Sequence, residues 1–192
     1  MSNSTTNKQS PVIDSHRLVQ TLAYVLRHAP RKFGIVLSED GSTSLELLVL
    51  SLIKYRKEYR DITPATMQDA IRNLDTERFE VRGNRIRARY GHSVDVSRIG
   101  TPETPPYFLF HATAADDVPM ILSDGLQPMD RYFVHLTSNL DYASSVGIAK
   151  GDVCILQVRA RLAYEAGLPF YRANSHVWLT NEIPFVFLTG NS

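Results

Sequence analysis

Residues 78–90 read RFEVRGNRIRARY, and this stretch decides how the first half of the chain folds. Apolar and charged residues alternate on either side of Gly83-Asn84, a pattern typical of two strands joined by a tight turn. One set of side chains would face inward: Phe79, Val81, Ile86, Ala88 and Tyr90. Five arginines would face outward: Arg78, Arg82, Arg85, Arg87 and Arg89. A sheet edge needs fewer charges for its protection, so the hairpin is predicted to contact phosphate, with a solvated edge as the alternative.

The elements ahead of this hairpin complete a recognisable order. The first is a helix with Ser15 as its N-cap, and Pro30 ends it soon after His28. The others are a strand at 34–37, a helix over about 45–56 with Thr43 and Glu46 at capping-box spacing, and a helix over about 64–74 that begins at Thr63-Pro64. Helix, strand, helix, helix and hairpin is the order of a winged-helix domain, in which the hairpin is an arginine-rich wing.

The last turn of the first helix carries a pair of basic residues. Leu18, Leu22, Val25 and Leu26 give this helix one apolar face, which anchors the turn that holds Arg27 and His28. The pair combines a permanent charge with a group that titrates near neutrality, as phosphate chemistry requires. The alternative is that the helix macrodipole favours basic residues at this end.

The charge of the chain is unevenly distributed. Residues 1–98 contain 16 Lys and Arg against 11 Asp and Glu, whereas residues 99–192 contain 5 against 9. Of the 21 basic residues, 16 are arginines, which bind phosphate through two parallel hydrogen bonds. A basic half joined to a more acidic half suggests two binding tasks, one of them toward an anion such as nucleic acid.

Composition also suggests where the protein acts. Cys154 is the only cysteine and lies in an apolar run, so we expect a buried strand thiol in a reducing compartment. No apolar run reaches transmembrane length, and the start of the chain lacks the apolar core of a signal peptide. We therefore expect a cytoplasmic protein without a membrane partner, a monomer, whose residues 1–13 are disordered.

The second half of the chain alternates short strands with short helices. Residues 99–106 have the composition of a linker, and residues 107–192 form the second lobe. The predicted elements are strands at 107–111, 132–136, 152–159, 170–171, 177–179 and 185–188, and helices at 115–123 and 139–148. Many short strands with only brief helices predict a mixed, split sheet and an α+β fold.

No motif of a dinucleotide-binding fold, a P-loop, a zinc protease or an α/β-hydrolase is present, and the histidines and Cys154 have no metal-ligand spacing. The candidates that remain lie at predicted strand ends. These are His111-Ala112-Thr113, His135 with Ser138, the loop 127–131, and Gly91-His92-Ser93. One histidine at a strand end is more often simply hydrogen-bonded, but two of them beside a basic loop favour a site.

From about Ser15 to Leu188 the sequence resembles the NAD-dependent RNA 2′-phosphotransferase family of the KptA type. The resemblance rests on ordered matches: the stretch 24–28, Arg78-Phe79, Gly91-His92-Ser93, His111 with Thr113, the segment 125–131, 134–136 and 177–179. It implies a winged-helix RNA-binding lobe over 14–98 joined to an ADP-ribosyltransferase-like NAD-binding lobe. Two positions differ from the family pattern, which usually has glycine in place of Ala112 and often glutamine in place of Tyr90.

The resemblance also implies an activity and a set of site residues. The 2′-phosphate of RNA would attack NAD and expel nicotinamide, and ADP-ribose 1″,2″-cyclic phosphate would then leave 2′-OH RNA. The implied catalytic residues are Arg27, His28, Arg78 and Arg131. NAD would contact His111, Ala112, Thr113, His135 and Ser138, and no metal is expected. RNA would contact Arg85, Arg87, Arg89, His92 and Ser93.

Two other functions stay open at this stage. The same lobes could ADP-ribosylate terminal phosphates of RNA or DNA without completing a transfer. The chain could also be a winged-helix regulator that binds nucleic acid and senses a ligand, although Arg131, His111 and His135 would then have no role. Release of nicotinamide from NAD with 2′-phosphorylated RNA separates an enzyme from a regulator.

Overall fold

A computed structural model describes residues 13–74, 77–97, 99–148 and 152–190. The expected disorder of residues 1–13 therefore falls, apart from Ile13, outside the described residues. Helix α1 spans Ser15–Arg27, and its apolar face is buried as the periodicity predicts. Its N-cap is Asp14 and not Ser15, because the Asp14 carboxylate accepts hydrogen bonds from the backbone N–H groups of His16 and Arg17.

The hairpin is confirmed, but the predicted strand at 34–37 is wrong. Strands β2 (Phe79–Arg82) and β3 (Arg85–Ala88) pair antiparallel, and the strand on the other edge of β3 is β1, Ser42–Ser44. Because that edge is already occupied, residues 34–37 have no strand to pair with and remain irregular. Ile35 is buried there and Val36 is 86% exposed, which imitates a strand pattern in the sequence.

Two further helices lie between β1 and the hairpin. Helix α2 spans Leu45–Tyr55 and helix α3 spans Pro64–Asn73. Thr63 caps α3, as predicted, and forms a capping box with Thr66, whereas α2 is capped by Ser44 and not by Thr43. These elements and α1 enclose one hydrophobic core, which extends from Leu18 to Ala88.

The second sheet has six strands in the spatial order β7, β8, β5, β4, β6, β9. The strands are β4 (Leu109–Ala114), β5 (Val134–Thr137), β6 (Val153–Val158), β7 (Tyr171–Arg172), β8 (Val177–Thr180) and β9 (Leu188–Gly190). The helices are α4 (Val118–Asp124), α5 (Leu140–Ile148) and α6 (Ala160–Glu165). Strands β4 and β5 pair only at Phe110 and Thr137, so the sheet opens between them.

Three expectations for this half need correction. All strand pairs of this sheet in the described residues are antiparallel, so the sheet is not mixed. The connections are long enough for each strand to run opposite to its neighbour. The predicted strand at 185–188 begins as a 3-10 turn at Phe185–Phe187, which Pro184 starts, and β9 begins at Leu188. Cys154 lies in β6 as expected, but it is half-buried. The fold class is α+β, with helices and two antiparallel sheets.

Contacts join the two halves of the chain. Glu77 accepts hydrogen bonds from the backbone N–H and the hydroxyl of Ser175. The N–H of Tyr132 donates to the His92 carbonyl (3.1 Å). A small apolar cluster adds to these contacts, formed by Ala173, Val177 and Leu179 with Tyr90, Ile99, Phe133 and Tyr171. These contacts hold residues 77–92 against the second sheet.

No helix within the described ranges is both long and apolar enough to cross a membrane.

Candidate active site

Three arginines converge from separate parts of the chain. Arg27 ends α1, Arg78 precedes β2, and Arg131 lies in the loop between α4 and β5. All three line one cavity, and none forms an ion pair within the described ranges. Burial lowers the pKa of the Arg27 guanidinium, and the charges of Arg78 and Arg131 lower it further. Three guanidinium groups without a counterion form a binding site for an anion such as phosphate.

Gly91 lies beside two of these arginines. Its φ of 86° lies in the left-handed region, where residues with a side chain are strained. A Cβ at this position would lie 3.4 Å from Nη1 of Arg131 and 3.4 Å from Nε of Arg27. A Cβ would therefore be in van der Waals contact with both side chains, and it is the backbone conformation at this point that favours glycine.

The aromatic ring of Tyr90 packs against the guanidinium group of Arg27. The Arg27 Cζ atom lies 4.9 Å from the centroid of the Tyr90 ring, within the range of a cation–π contact. The same ring meets His135 edge to face at 6.2 Å, and its hydroxyl interacts with Tyr142 on α5. Burial raises the pKa of Tyr90, so the phenol stays neutral at physiological pH. Tyr90 thus connects the first helix to strand β5 and helix α5.

His28 lies beside the arginines but does not line the cavity. Its Nδ1 is 2.9 Å from the Ser93 hydroxyl, and the backbone N–H of Ser93 donates to the Arg27 carbonyl. Partial burial lowers the pKa of His28, and the charges of Arg27 and Arg131 lower it further. The imidazole is therefore neutral at pH 7, held by Ser93, and able to accept a proton. Ser93, which we expect from the sequence to contact RNA, is hydrogen-bonded to His28.

The cavity itself has the size and lining of a nucleotide site. Its volume of about 660 Å³ falls in the range of small-molecule pockets, and it lies where β4 and β5 separate. His111 Nδ1 donates to the His135 carbonyl (2.9 Å), so this ring nitrogen carries a proton. The hydroxyl of Thr113 is 3.4 Å from the Asp117 carboxylate. Ala112 also lines the cavity, whereas Ser138 is exposed outside it.

Two histidines near the site, the buried His92 and the half-buried His135, are neutral. Burial lowers the pKa of His135 to about 3, with Arg131 as the second cause. Burial also lowers the pKa of His92 to about 4, with Arg27 as the second cause. His92 is only 5% exposed, and its Nε2 has no hydrogen-bond partner in the part of the chain described. This position favours a role for His92 in shaping the site over direct contact with RNA.

The wing arginines are largely engaged with other residues of the hairpin. Glu80 pairs with Arg87 (2.6 Å) and Arg82 (2.8 Å), and Arg89 lies 3.8 Å away. Arg85 donates to Ser42 and Ser38 on the neighbouring segment. Partial burial raises the pKa of Glu80, but the hydrogen bond and charge of Arg87 outweigh it and lower the pKa overall. Three wing arginines are thus held near one carboxylate and Arg85 near two hydroxyls, and the hairpin keeps a net positive charge.

Sequence reasoning did not find every residue of the site. Tyr90 was noted only as an inward-facing residue and a departure from the family pattern, and Tyr142 and Asp117 gave no signal. A tyrosine or an aspartate in a short helix looks like any surface residue until the fold brings it to the cavity. No group of three or more His, Cys, Asp or Glu within the described ranges is placed to hold a metal ion.

This geometry defines an enzyme that handles a phosphate group beside a nucleotide-sized cavity, and comparisons with known proteins agree. The family model "RNA 2′-phosphotransferase, Tpt1 / KptA family" matches residues 14–182. A "Probable RNA 2′-phosphotransferase" of Bacillus thuringiensis subsp. konkukian is 37% identical over 175 residues, covering 91% of this chain and 94% of that protein. One of Thermococcus kodakarensis is 35% identical over 169 residues, covering 88% and 92%. The chain belongs to the RNA 2′-phosphotransferase, Tpt1/KptA family.

Proposed function

We propose that this protein removes an internal 2′-phosphate from RNA, of the kind left at a tRNA splice junction, by transferring it to NAD. The products are 2′-OH RNA, nicotinamide and ADP-ribose 1″,2″-cyclic phosphate. The observation that carries the proposal is the convergence of Arg27, Arg78 and Arg131, without a counterion in the described residues, on one cavity beside His28. Membership of the family supports the same activity.

The cavity fits NAD as a co-substrate that the reaction consumes. Aromatic and aliphatic side chains line it: Phe110, Met120, Ile121, Phe133, Leu136 and Val177. His111, Thr113 and His135 add a few polar groups, a combination usual for nucleotide sites. We therefore assign NAD contacts to His111, Ala112, Thr113 and His135, whereas Ser138 would need a movement of its loop to take part.

The two hydrophobic cores support a two-lobe architecture. We propose that residues 14–98 form a winged-helix lobe, because their elements follow the order α1, β1, α2, α3, β2, β3 around one core. We propose that residues 107–192 form an ADP-ribosyltransferase-like lobe, because their core is separate and their sheet opens at the cavity. Residues 99–106 connect the lobes. Cytoplasmic location and the monomeric state remain predictions from the sequence.

The first step needs positioning and charge more than proton transfer. An oxygen of the 2′-phosphate forms a bond to C1″ of the nicotinamide ribose while the bond from C1″ to nicotinamide breaks. The phosphate is already anionic, and nicotinamide leaves as a neutral molecule. The arginines hold the phosphate dianion in line with its target, and their charge does not depend on pH.

The second step needs both proton transfer and charge stabilisation. The ribose 2″-hydroxyl bonds to phosphorus, and the bond from phosphorus to the RNA 2′-oxygen breaks. The attacking hydroxyl loses a proton and the departing 2′-oxygen gains one. His28 is neutral at pH 7 and is oriented by Ser93, so we assign this transfer to it. Arg27 stabilises the added charge on the phosphate.

The test combines wild-type protein, NAD and a short RNA with one internal 2′-phosphate. Mass spectrometry of the products should show loss of the phosphate from RNA and equal amounts of nicotinamide and ADP-ribose 1″,2″-cyclic phosphate. A product in which RNA keeps the phosphate and gains ADP-ribose would indicate an ADP-ribosyltransferase. Absence of nicotinamide release would contradict any enzymatic function with these substrates and favour a regulator that only binds.

A further inference from the structure

An exposed surface next to His28 combines aromatic rings with basic side chains. Tyr24 is 40% exposed and Tyr55 is 46% exposed, and the buried Phe33 connects them through edge-to-face contacts at 6.3 Å and 5.7 Å. Basic groups surround these rings, with Lys54 Nζ 5.2 Å from the Tyr55 ring and Arg56 Cζ 5.9 Å from the Phe33 ring. We call this surface the aromatic-basic patch: Tyr24, Lys32, Phe33, Lys54, Tyr55 and Arg56.

The basic groups of the patch have no carboxylate partner among the described residues, whereas three wing arginines share the carboxylate of Glu80. Lys32, Lys54 and Arg56 are exposed, and none of them pairs with a carboxylate in the described part of the chain. Lys32 Nζ is only 3.5 Å from the Tyr24 hydroxyl, a neutral partner that leaves its charge intact. On the wing, by contrast, Glu80 pairs with several arginines at once.

The patch is continuous with the candidate active site. The Tyr24 and His28 rings are neighbours one helical turn apart, with centroids 6.4 Å from each other. On its other side, His28 interacts electrostatically with Arg27 and Arg131, which line the cavity. His28 therefore stands between the arginines that would hold a phosphate and the exposed rings of the patch.

We propose that the aromatic-basic patch binds the single-stranded RNA that flanks the 2′-phosphate. This inference rests on the proposed function, because it takes RNA as the substrate and the arginine cluster as the phosphate site. A base next to the phosphate stacks on Tyr24 and one farther along stacks on Tyr55, while Lys32, Lys54 and Arg56 contact the phosphates between them. Aromatic platforms edged by basic groups are how proteins bind single strands with little sequence preference.

The decisive experiment measures binding of a fluorescently labelled single-stranded RNA by anisotropy, using the full chain. Tyr24→Leu should weaken binding about tenfold, because a base–aromatic stack is lost while an apolar side chain is kept. The double variant Lys54→Ala with Arg56→Ala should weaken binding and lower the salt slope by about 0.7 for each phosphate contact removed. The loss should be greater for RNA that extends beyond the phosphate-bearing nucleotide than for the shortest RNA.

Two control variants match the chemistry of the patch. Tyr107 is exposed and has Arg161 Cζ 5.0 Å from its ring, but it does not line the cavity. Arg82 is an exposed wing arginine paired with Glu80. Tyr107→Leu and Arg82→Ala should bind RNA like the wild type, and thermal melting confirms that each variant is folded.

The outcomes separate the patch from the proposed function. If the patch variants bind RNA like the wild type, or lose no more affinity than Tyr107→Leu, the proposed role of the patch in RNA binding is contradicted. Loss confined to Arg82→Ala would place the RNA on the wing and overturn it as well. If the wild type binds RNA through the patch but releases no nicotinamide, the role of the patch in RNA binding is supported and the proposed function is contradicted.

Discussion

Tyr90 is the residue on which the position of Arg27 depends most. Nε and Nη2 of Arg27 are buried and have no hydrogen-bond partner among the described residues. The Tyr90 ring is thus a main stabilising contact of a guanidinium group that has two positive neighbours. A binding site for an anion has to tolerate such a group before the anion arrives, and an aromatic face does so without neutralising it.

Substitution of Tyr90 tests this positioning role. Tyr90→Leu should lower kcat/KM for 2′-phosphorylated RNA about tenfold, because the cation–π contact in a partly desolvated site is lost. Tyr90→Phe keeps the ring and should recover most of the activity. Steady-state kinetics with both variants, after a check of their melting temperatures, measures this difference. Equal losses in the two variants would show that the hydroxyl and not the ring is what matters.

At the scale of elements, helix α1 presents Arg27 and His28, so its N-terminal cap helps to hold the site. Asp14→Ala should lower the free energy of unfolding by about 1 kcal/mol, because two backbone N–H groups lose their acceptor. Ser15→Ala is the matched control and should change stability by less than about 0.5 kcal/mol. Urea denaturation measures both. A larger loss of stability in Ser15→Ala than in Asp14→Ala would show that Ser15 is the N-cap, as the sequence pattern predicts.

Helices and the hairpin could be predicted from the sequence because their signals are local. Thr63-Pro64 and Gly83-Asn84 mark a helix start and a turn through backbone geometry that neighbouring residues determine. The strand at 34–37 could not be judged this way, because a strand also needs a free edge, and the edge of β3 belongs to Ser42–Ser44. The choice between Asp14 and Ser15 depends on which side chain reaches the first free N–H groups, which spacing alone does not decide.

The candidate site shows the same limit over longer distances. The basic character of Arg27, Arg78 and Arg131 is evident in the sequence, and the family resemblance groups them. Their meeting at one cavity depends on contacts between the two halves of the chain. Sequence also cannot show which arginines of the wing are used in ion pairs, because Glu80 meets them only across the hairpin.

For the whole molecule, the buried histidines predict sensitivity to acid. The pKa of His92 is about 4 and that of His135 about 3, whereas an unfolded histidine titrates near 6.5. Below pH 6.5 these histidines bind protons in the unfolded state but not in the folded state, so the free energy of unfolding decreases as the pH drops. Each group contributes up to about 1.4 kcal/mol per pH unit in this window.

Chemical denaturation at pH 6.5, 6.0, 5.5 and 5.0 measures this dependence. His92→Gln should lower the free energy of unfolding at pH 7. It should also reduce the pH dependence of this free energy by an amount that corresponds to roughly one proton bound on unfolding. His16→Gln, in the exposed first turn of α1, is the matched substitution against which the slope of His92→Gln is compared. A slope that is identical in His92→Gln and the wild type would mean that His92 titrates equally in the folded and unfolded states.

The central claim is that the site around Arg27, His28, Arg78 and Arg131 transfers the 2′-phosphate to NAD in two steps, with His28 serving the second. The most direct measurement is a mass-spectrometric time course of 2′-phosphorylated RNA and NAD with the wild type and His28→Ala. General acid–base help is worth about 10²–10⁴ in rate, so the variant should release nicotinamide while RNA carrying an ADP-ribosylated 2′-phosphate accumulates. Nicotinamide release and 2′-OH RNA that fall in equal proportion, with no such intermediate, would contradict the account.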